Sequence, residues 1–312
     1  MSAQAGARAK NYQLAVTEPY LFDRPITAGV DLYSRKLDYL TTQNVVGYSE
    51  VRTGASLTGG FPLGRFTRLF ASYTYEVIDT AGLSSLLNGS TTPTSTTGEP
   101  IFAPFLDDGR HVESRIGPSL VYNTVDNPYT PRKGTRLTAS GLVAGGPLGG
   151  GINYFRPDGE AILYIPHLRH TALGLRAEAA WITPFGNTQR LPYYQRYFLG
   201  GETQIRGVNI RTVGPVDTQN QAIGGNKFAL FNAEYYFDVA GPLRLVLFYD
   251  AGQAFAEGHN LNLRQLRTST GAELRFIMPV LNVPFRLIYA FNPSRDSFQP
   301  ARTFKFAVGT TF

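Results

Sequence analysis

Apolar and polar residues alternate with a period of two through most of this chain. In the final segment Phe304, Phe306, Val308 and Phe312 share one face, and Thr303, Lys305, Ala307 and Gly309 share the other. Upstream, Phe285, Leu287, Tyr289 and Phe291 oppose Arg286, Ile288 and Ala290, while Leu243, Leu245, Leu247 and Tyr249 oppose Arg244, Val246, Phe248 and Asp250. Successive side chains of a strand point to opposite faces, so this pattern predicts β-strands. About thirteen segments carry it, near residues 11–18, 25–38, 48–60, 66–78, 111–123, 134–145, 151–165, 171–183, 226–238, 243–255, 267–278, 285–292 and 301–312.

The charges sit on the smaller, more polar face, and the other face is apolar with aromatic ends. A soluble sandwich hides its apolar face inside. Segments of roughly ten residues with a greasy face and a charged or small opposite face fit a barrel turned inside out, apolar toward lipid and polar toward the lumen. The predicted fold is therefore all-β, a transmembrane antiparallel barrel of an outer membrane. Connections support it, because tight proline-marked turns (Phe61-Pro-Leu-Gly, Ile165-Pro-His-Leu, Ala240-Gly-Pro, Leu281-Asn-Val-Pro) exchange with long polar stretches at 79–110 and 184–225. Barrels of this kind have short periplasmic turns and long outer loops. Residues 1–10 are expected to be a disordered or remnant N-terminus, residues 11–312 the barrel, and the Ser/Thr/Gly/Pro-rich stretch from Ser90 to Pro100 a flexible outer loop. The first strand leads into a short turn and the last ends on the short-turn side, which puts Asn11 on the exterior. A barrel that begins and ends in the periplasm would then lack an odd number of strands ahead of it, together with its signal peptide, so the sequence is expected to be an N-terminally truncated piece.

Composition narrows the function. Aromatics make up 13% of the chain and charged residues only 17%, with no cysteine, an unusual balance for a soluble enzyme. Lacking cysteine, the chain can hold no disulfide, thiolate nucleophile or zinc–cysteine site. The net charge of +6 is scattered rather than run together, so it says little about nucleic acid and is equally compatible with attraction to anionic lipid headgroups. No apolar run approaches the roughly 18 residues of a spanning helix, so any crossing is made by strands.

One charge stands out, Arg206 in Tyr197-Phe-Leu-Gly-Gly-Glu-Thr-Gln-Ile-Arg-Gly-Val-Asn-Ile. A guanidinium in a lumen needs planar acceptors, because a buried charge left unpaired costs several kcal/mol. Parity puts Glu234, with Asn232, Tyr236 and Asp238, and Asp250, with Arg244, on the lumen faces of successive strands. Gly200, Gly201 and Gly207 allow sharp bends and a close approach to the wall. Arg206 is thus a candidate plug that Glu234 and Asp250 could receive, although any such pair in a lumen is more often passive lining. Arg52, Arg68, Glu113, Arg115, Arg136, Arg176, Glu178, Glu273, Arg275 and Arg286 read as lumen lining. His111, His167, His170 and His259 lack metal-ligand spacing and read as solvated surface. Asp126 and Glu18 read as turn stabilisers. The run from Gly145 to Gly151 lacks the lysine–serine pair and following helix of a phosphate loop. Without a serine–histidine–aspartate arrangement, the chain is expected to be no enzyme and to need no metal or cofactor.

These residues resemble the C-terminal barrel of the BamA-like outer-membrane assembly-factor superfamily, also called the bacterial surface antigen family. The likeness covers almost all of 11–312. It rests on Ile205-Arg206-Gly207-Val208 with Gly200 and Gly201 ahead of it and Gly214-Pro215 after it, on Phe248-Tyr-Asp250-Ala-Gly252, on Asp126-Asn-Pro-Tyr-Thr-Pro131-Arg-Lys-Gly134, on Val16-Thr-Glu-Pro-Tyr-Leu, and on the terminal Phe312. In that family the arginine signature lies on a long loop that folds back into the lumen, so the resemblance implies that Arg206 pins a loop at about residues 185–225 inside the barrel through Glu234 and Asp250; the fourth motif position is valine where the family has an aromatic. The resemblance implies a barrel of about sixteen strands, of which about the last thirteen are present. It further implies an outer-membrane location in a Gram-negative-type bacterium, periplasmic POTRA repeats ahead of the barrel, and a seam that opens sideways to insert outer-membrane proteins. Phe304, Phe306, Val308 and Phe312 would then be the seam strand and assembly signal. The implied partners are unfolded outer-membrane proteins, outer-membrane lipids and lipopolysaccharide, and accessory lipoproteins, with no nucleic acid. Two alternatives stand beside this: a two-partner-type secretion pore or passive channel, and a barrel anchor for a fused enzyme domain.

Overall fold

The computed structural model describes residues 2–6, 9–40, 46–83, 108–216, 220, 222–278, 283–309 and 312. Its strands are β1 (Ser2–Ala5), β2 (Ala9–Glu18), β3 (Thr27–Leu40), β4 (Val46–Pro62), β5 (Thr67–Ala81), β6 (Gly109–Asn123), β7 (Gly134–Ala144), β8 (Tyr154–Pro166), β9 (Thr171–Trp181), β10 (Thr183–Pro184), β11 (Lys227–Ala240), β12 (Leu243–Phe255), β13 (Arg267–Met278), β14 (Val283–Ser294) and β15 (Arg302–Val308). All pairing is antiparallel between sequence neighbours, in a single sheet running β1 to β9 and then β11 to β15, with the two-residue β10 returning to β8. Each of the thirteen alternating segments is a strand. Residues 2–5 and 9–10, within the stretch expected to be a disordered or remnant N-terminus, form β1 and the start of β2, joined from Ser2↔Gln13 to Ala5↔Lys10. Small residues flank a short turn there, too little apolar pattern for periodicity to register. The stretch from Ser90 to Pro100 lies outside the described residues, as do 279–282 of the turn before β14.

The alternation points outward as predicted. On β12 Leu247 and Tyr249 are 47% and 49% exposed, whereas Val246, Phe248 and Asp250 between and beside them are 0–3% exposed. On β15 Phe304 and Phe306 are 70% and 60% exposed. An aqueous protein with such a surface would aggregate, and in a bilayer the same surface is solvated by acyl chains while the pairing satisfies the backbone. Short turns hold themselves by local side-chain bonds. Between β6 and β7 the Asp126 carboxylate accepts from the N–H groups of Asn127, Arg132 and Lys133 at 2.9, 3.1 and 3.2 Å, and between β2 and β3 Glu18 accepts from the Tyr20 N–H at 2.9 Å.

That the sheet curls follows from what its inner face touches. Arg52 on β4 and Glu113 on β6 reach the backbone of Tyr194 and the side chain of Gln195. Asp250 on β12, far along the sheet, reaches Arg206 of the same connection. One segment, residues 185–226 between β10 and β11, therefore fills the interior and is gripped from both halves of the wall.

Candidate functional site

The interior segment is folded on itself before it meets the wall. Isolated bridges join Tyr197 to Gly225, Leu199 to Val213 and Gly201 to Ile205, so the chain runs in, turns around the Ile205-Arg206-Gly207 tip, and runs back. The turn needs glycine at two places. Gly200 holds φ 117°, and a Cβ there would lie 2.3 Å from the Asn209 carbonyl oxygen. At Gly207 the demand is close approach, since a Cβ would fall 1.7 Å from Asn292 Oδ1 on β14. Ile205 and Val208 point into an apolar cluster with Leu199, Val213, Ala180, Phe228, Leu230 and Ala254, which seats the tip on β9, β11 and β12.

Arg206 is fully buried and meets more carboxylates than expected. Its Nε and Nη2 donate to the two oxygens of Asp250 at 2.8 and 2.6 Å, a bidentate fork, and its backbone N–H donates to the same carboxylate at 3.1 Å. Nη1 donates to Glu234 at 2.5 Å and to Glu273 at 3.2 Å. The Phe248 ring covers the guanidinium at 3.8 Å. Register explains the arrangement, because Asp250 stands opposite Asn232 and Phe248 opposite Glu234 on the β11–β12 ladder. Asn232 braces the fork, donating from Nδ2 to Asp250 at 2.8 Å and to the Gln204 carbonyl at 2.7 Å. Tyr236 donates to Glu234 at 2.5 Å.

Glu273, expected only as lining, is the hub. It accepts from Arg275 at 2.8 Å and from Arg286 at 2.8 and 2.7 Å, as well as from Arg206. Three guanidiniums thus face three carboxylates, and the cluster is neutral as a whole. Burial opposes the charge on Arg206, but Asp250, Glu234 and Glu273 outweigh it and hold the guanidinium above the ordinary arginine range. The arrangement can fix a loop, and its acids are all engaged with guanidiniums.

The tip is also tied to the last strands. Asn292 donates to the Gly207 carbonyl at 2.7 Å, Thr303 to the same oxygen at 3.3 Å, and Lys305 to the Val208 carbonyl at 2.8 Å while pairing with Glu202 at 2.9 Å. Sequence parity put Thr303 and Lys305 on the inner face but could not say that the loop would meet them. The opposite wall holds a second ion network, in which Arg52 and Arg115 bridge Glu76 and Glu113, with Glu50 on Arg52. Tyr154 and Gln195 complete Glu113 at 3.1 and 2.6 Å. Other lining residues pair locally, Arg136 and Arg176 with Glu160, and Arg176 with Glu178, and Arg68 donates to Thr27 at 3.0 Å.

Phe304, Phe306 and Val308 lie on the outward face of β15, as expected, but Phe312 does not. It packs inside on Tyr164 of β8, with ring centroids 6.2 Å apart, and its carbonyl accepts from the Tyr164 hydroxyl at 3.4 Å. The strand ends at Val308, and Gly309, at φ 107°, breaks the alternation that would have carried Phe312 outward. Of the histidines, His167 and His170 are exposed, and His167 Nδ1 meets the Tyr235 hydroxyl at 2.5 Å. His111 and His259 are half-buried, His111 against the Tyr194 ring at 5.5 Å.

The chain matches the Omp85 superfamily domain over residues 1–312. It is 28% identical over 209 residues to the outer membrane protein assembly factor BamA of Nitratidesulfovibrio vulgaris, covering 66% of this chain and 26% of that one. To BamA of Neisseria meningitidis serogroup B it is 22% identical over 346 residues, 97% of this chain and 41% of that one. Among solved structures it is similar to BamA from Haemophilus ducreyi lacking POTRA domains 1–3, with a TM-score of 0.77 at 20% identity over 98% of this chain and 63% of that one. The chain therefore spans well under half the length of these curated relatives.

Proposed function

The chain belongs to the Omp85 superfamily, and we propose that it acts as the barrel part of an assembly factor that helps fold and insert outer-membrane proteins. It is an integral outer-membrane β-barrel protein. The observation that carries the assembly reading is β15. Its outward face presents Phe304, Phe306 and Val308, 70%, 60% and 56% exposed, while its inward Thr303 and Lys305 hold the loop tip by the Gly207 and Val208 carbonyls. A strand with outward aromatics can take up an incoming strand by backbone hydrogen bonding while its side chains stay in lipid.

The partners of this reading are unfolded outer-membrane proteins, with outer-membrane lipids and lipopolysaccharide around the apolar face and accessory lipoproteins at the periplasmic rim. The seam residues are Phe304, Phe306 and Val308. The loop built on Gly200, Gly201, Ile205, Arg206, Gly207 and Val208 is a positioning device, held by Glu234 and Asp250, and no residue is assigned a catalytic step. A segment gripped from both halves of the wall also weighs against the passive-channel alternative.

The test reconstitutes the protein in liposomes and follows folding of an unfolded outer-membrane barrel by heat-modifiable gel migration, with a photo-crosslinker in place of Arg302 on β15, which is exposed. Acceleration over empty liposomes, with crosslinks to the incoming chain, is expected when the full-length protein is reconstituted. Folding at the empty-liposome rate with no crosslink would overturn the reading.

A further inference from the structure

A second arginine of the interior loop is held by a different chemistry. Arg211 follows the tip on the returning half, with φ 62°, a left-handed conformation that a long side chain adopts only when its surroundings hold it there. Its guanidinium carbon lies 3.6 Å from the Phe198 ring centroid, 4.3 Å from Tyr39, 5.7 Å from Tyr193 and 6.0 Å from Tyr48. The four rings form a box of their own. Tyr39 stacks on Tyr48 at 4.5 Å and 10°, Tyr48 meets Tyr193 edge-on at 5.3 Å, and Tyr193 leans on Phe198 at 5.0 Å. Among the described residues no carboxylate forms an ion pair with Arg211, so the negative ring faces are what attract its charge.

The box has two sources. Tyr193 and Phe198 belong to the loop, whereas Tyr39 and Tyr48 stand opposite each other on the β3–β4 ladder. Arg206 ties the loop to β11, β12 and β13, on the other half of the sheet. We propose that Arg211 is a second anchor, a positioning residue whose stacking in this aromatic box ties the loop to the β3–β4 hairpin, so that the loop spans the interior from wall to wall. The inference concerns the position of the loop and goes beyond the assembly reading; it stands or falls on geometry, whatever the protein inserts.

The chain has no cysteine, so introduced pairs can carry spin labels without background. Lys36 and Ile210 report on the hairpin side, and Leu261 and Thr203, just ahead of the Arg206 tip, on the far side; Ile210 and Leu261 are 68% and 53% exposed, the Lys36 side chain is 46% exposed, and Thr203 is exposed. In the whole protein, reconstituted and checked as folded by heat-modifiable migration, R211Q should abolish the narrow Lys36-to-Ile210 distance distribution and leave the Leu261-to-Thr203 distribution narrow. R206A should do the reverse. R211K, which keeps the charge but not the planar face, should restore part of the hairpin-side order. If R211Q does not fold, Tyr39→Leu removes the box from the wall side and should give the same one-sided loss. An unchanged hairpin-side distribution in R211Q or Tyr39→Leu, or equal broadening on both sides, overturns the proposal.

Discussion

Replacing Arg206 by alanine should unseat the interior loop, and the size of the effect can be worked from the contacts. The side chain donates four hydrogen bonds to carboxylates, two to Asp250 and one each to Glu234 and Glu273. Counted singly, charge-assisted bonds of about 1.5–3 kcal/mol each would sum too high, because Arg275 and Arg286 remain to hold Glu234 and Glu273. What the substitution leaves is one surplus buried negative charge, centred on Asp250, whose two charge-assisted partners in the fork are gone. Breaking a buried pair in this way costs about 3–5 kcal/mol, or roughly a 10²- to 4 × 10³-fold shift toward the open loop at about 1.4 kcal/mol per tenfold.

Hydrogen exchange reads that shift directly. The Leu199 and Val213 amides close the loop's own hairpin on each other's carbonyls at 3.1 and 3.0 Å, and their protection should fall by that factor while amides in the β3–β4 ladder keep theirs. The double variant R206A/D250N removes the surplus charge and should recover part of the loss. Protection within about tenfold of the parent in R206A would refute the reasoning, since the side chain would then contribute no more than about 1.4 kcal/mol, well short of the cost of breaking a buried pair.

Three further outcomes follow from named contacts. Gly207→Ala drives a methyl into Asn292 Oδ1 and should unseat the tip about as far as a misplaced core group does, roughly 1–3 kcal/mol, with Asn292→Ala recovering part of it in the double variant; exchange at Val213 measures both. Lys305→Met removes the cation that holds the Val208 carbonyl and Glu202, and should raise exchange along β15 more than along β12. In the β6–β7 turn slight burial works against the Asp126 charge, but the N–H groups of Arg132, Lys133 and Asn127 outweigh it and hold the carboxyl below the usual carboxylate range. Its stabilisation is therefore complete above the unfolded value of about 3.9 and is lost as pH falls through the lowered native value. Asp126→Asn keeps an acceptor and should flatten this acid limb, read as Lys133 amide exchange against pH; an unchanged limb would count against the turn assignment.

Much of this was legible without coordinates because the strand period is a local property. Parity alone put Glu234, Asp250, Thr303 and Lys305 on the inner face and Phe304 and Phe306 on the outer one. It could not rank Glu273 above other lining acids, since that depends on how three strands are staggered: Glu273 stands opposite Val246, four residues along β12 from Asp250, and reaches across with a longer side chain. Arg211 was invisible for a related reason. Its box draws two rings from a hairpin more than a hundred residues earlier, and only the curl of the sheet brings them to the loop. Phe312 was misplaced because periodicity was extended past Gly309, where a backbone angle rather than a side-chain pattern decides direction.

The balance of the Arg206 cluster constrains how this protein can change over generations. Glu273 serves three guanidiniums at once, so any single step that adds or removes a charge there passes through a variant with an unmatched buried ion. Viable routes must alter two positions together or enter through a neutral partner such as Asn232 or Tyr236. Among descendants of this sequence, substitutions at 206, 234, 250, 273, 275 and 286 should therefore arrive in compensating sets, while the outward apolar positions of the same strands drift one at a time.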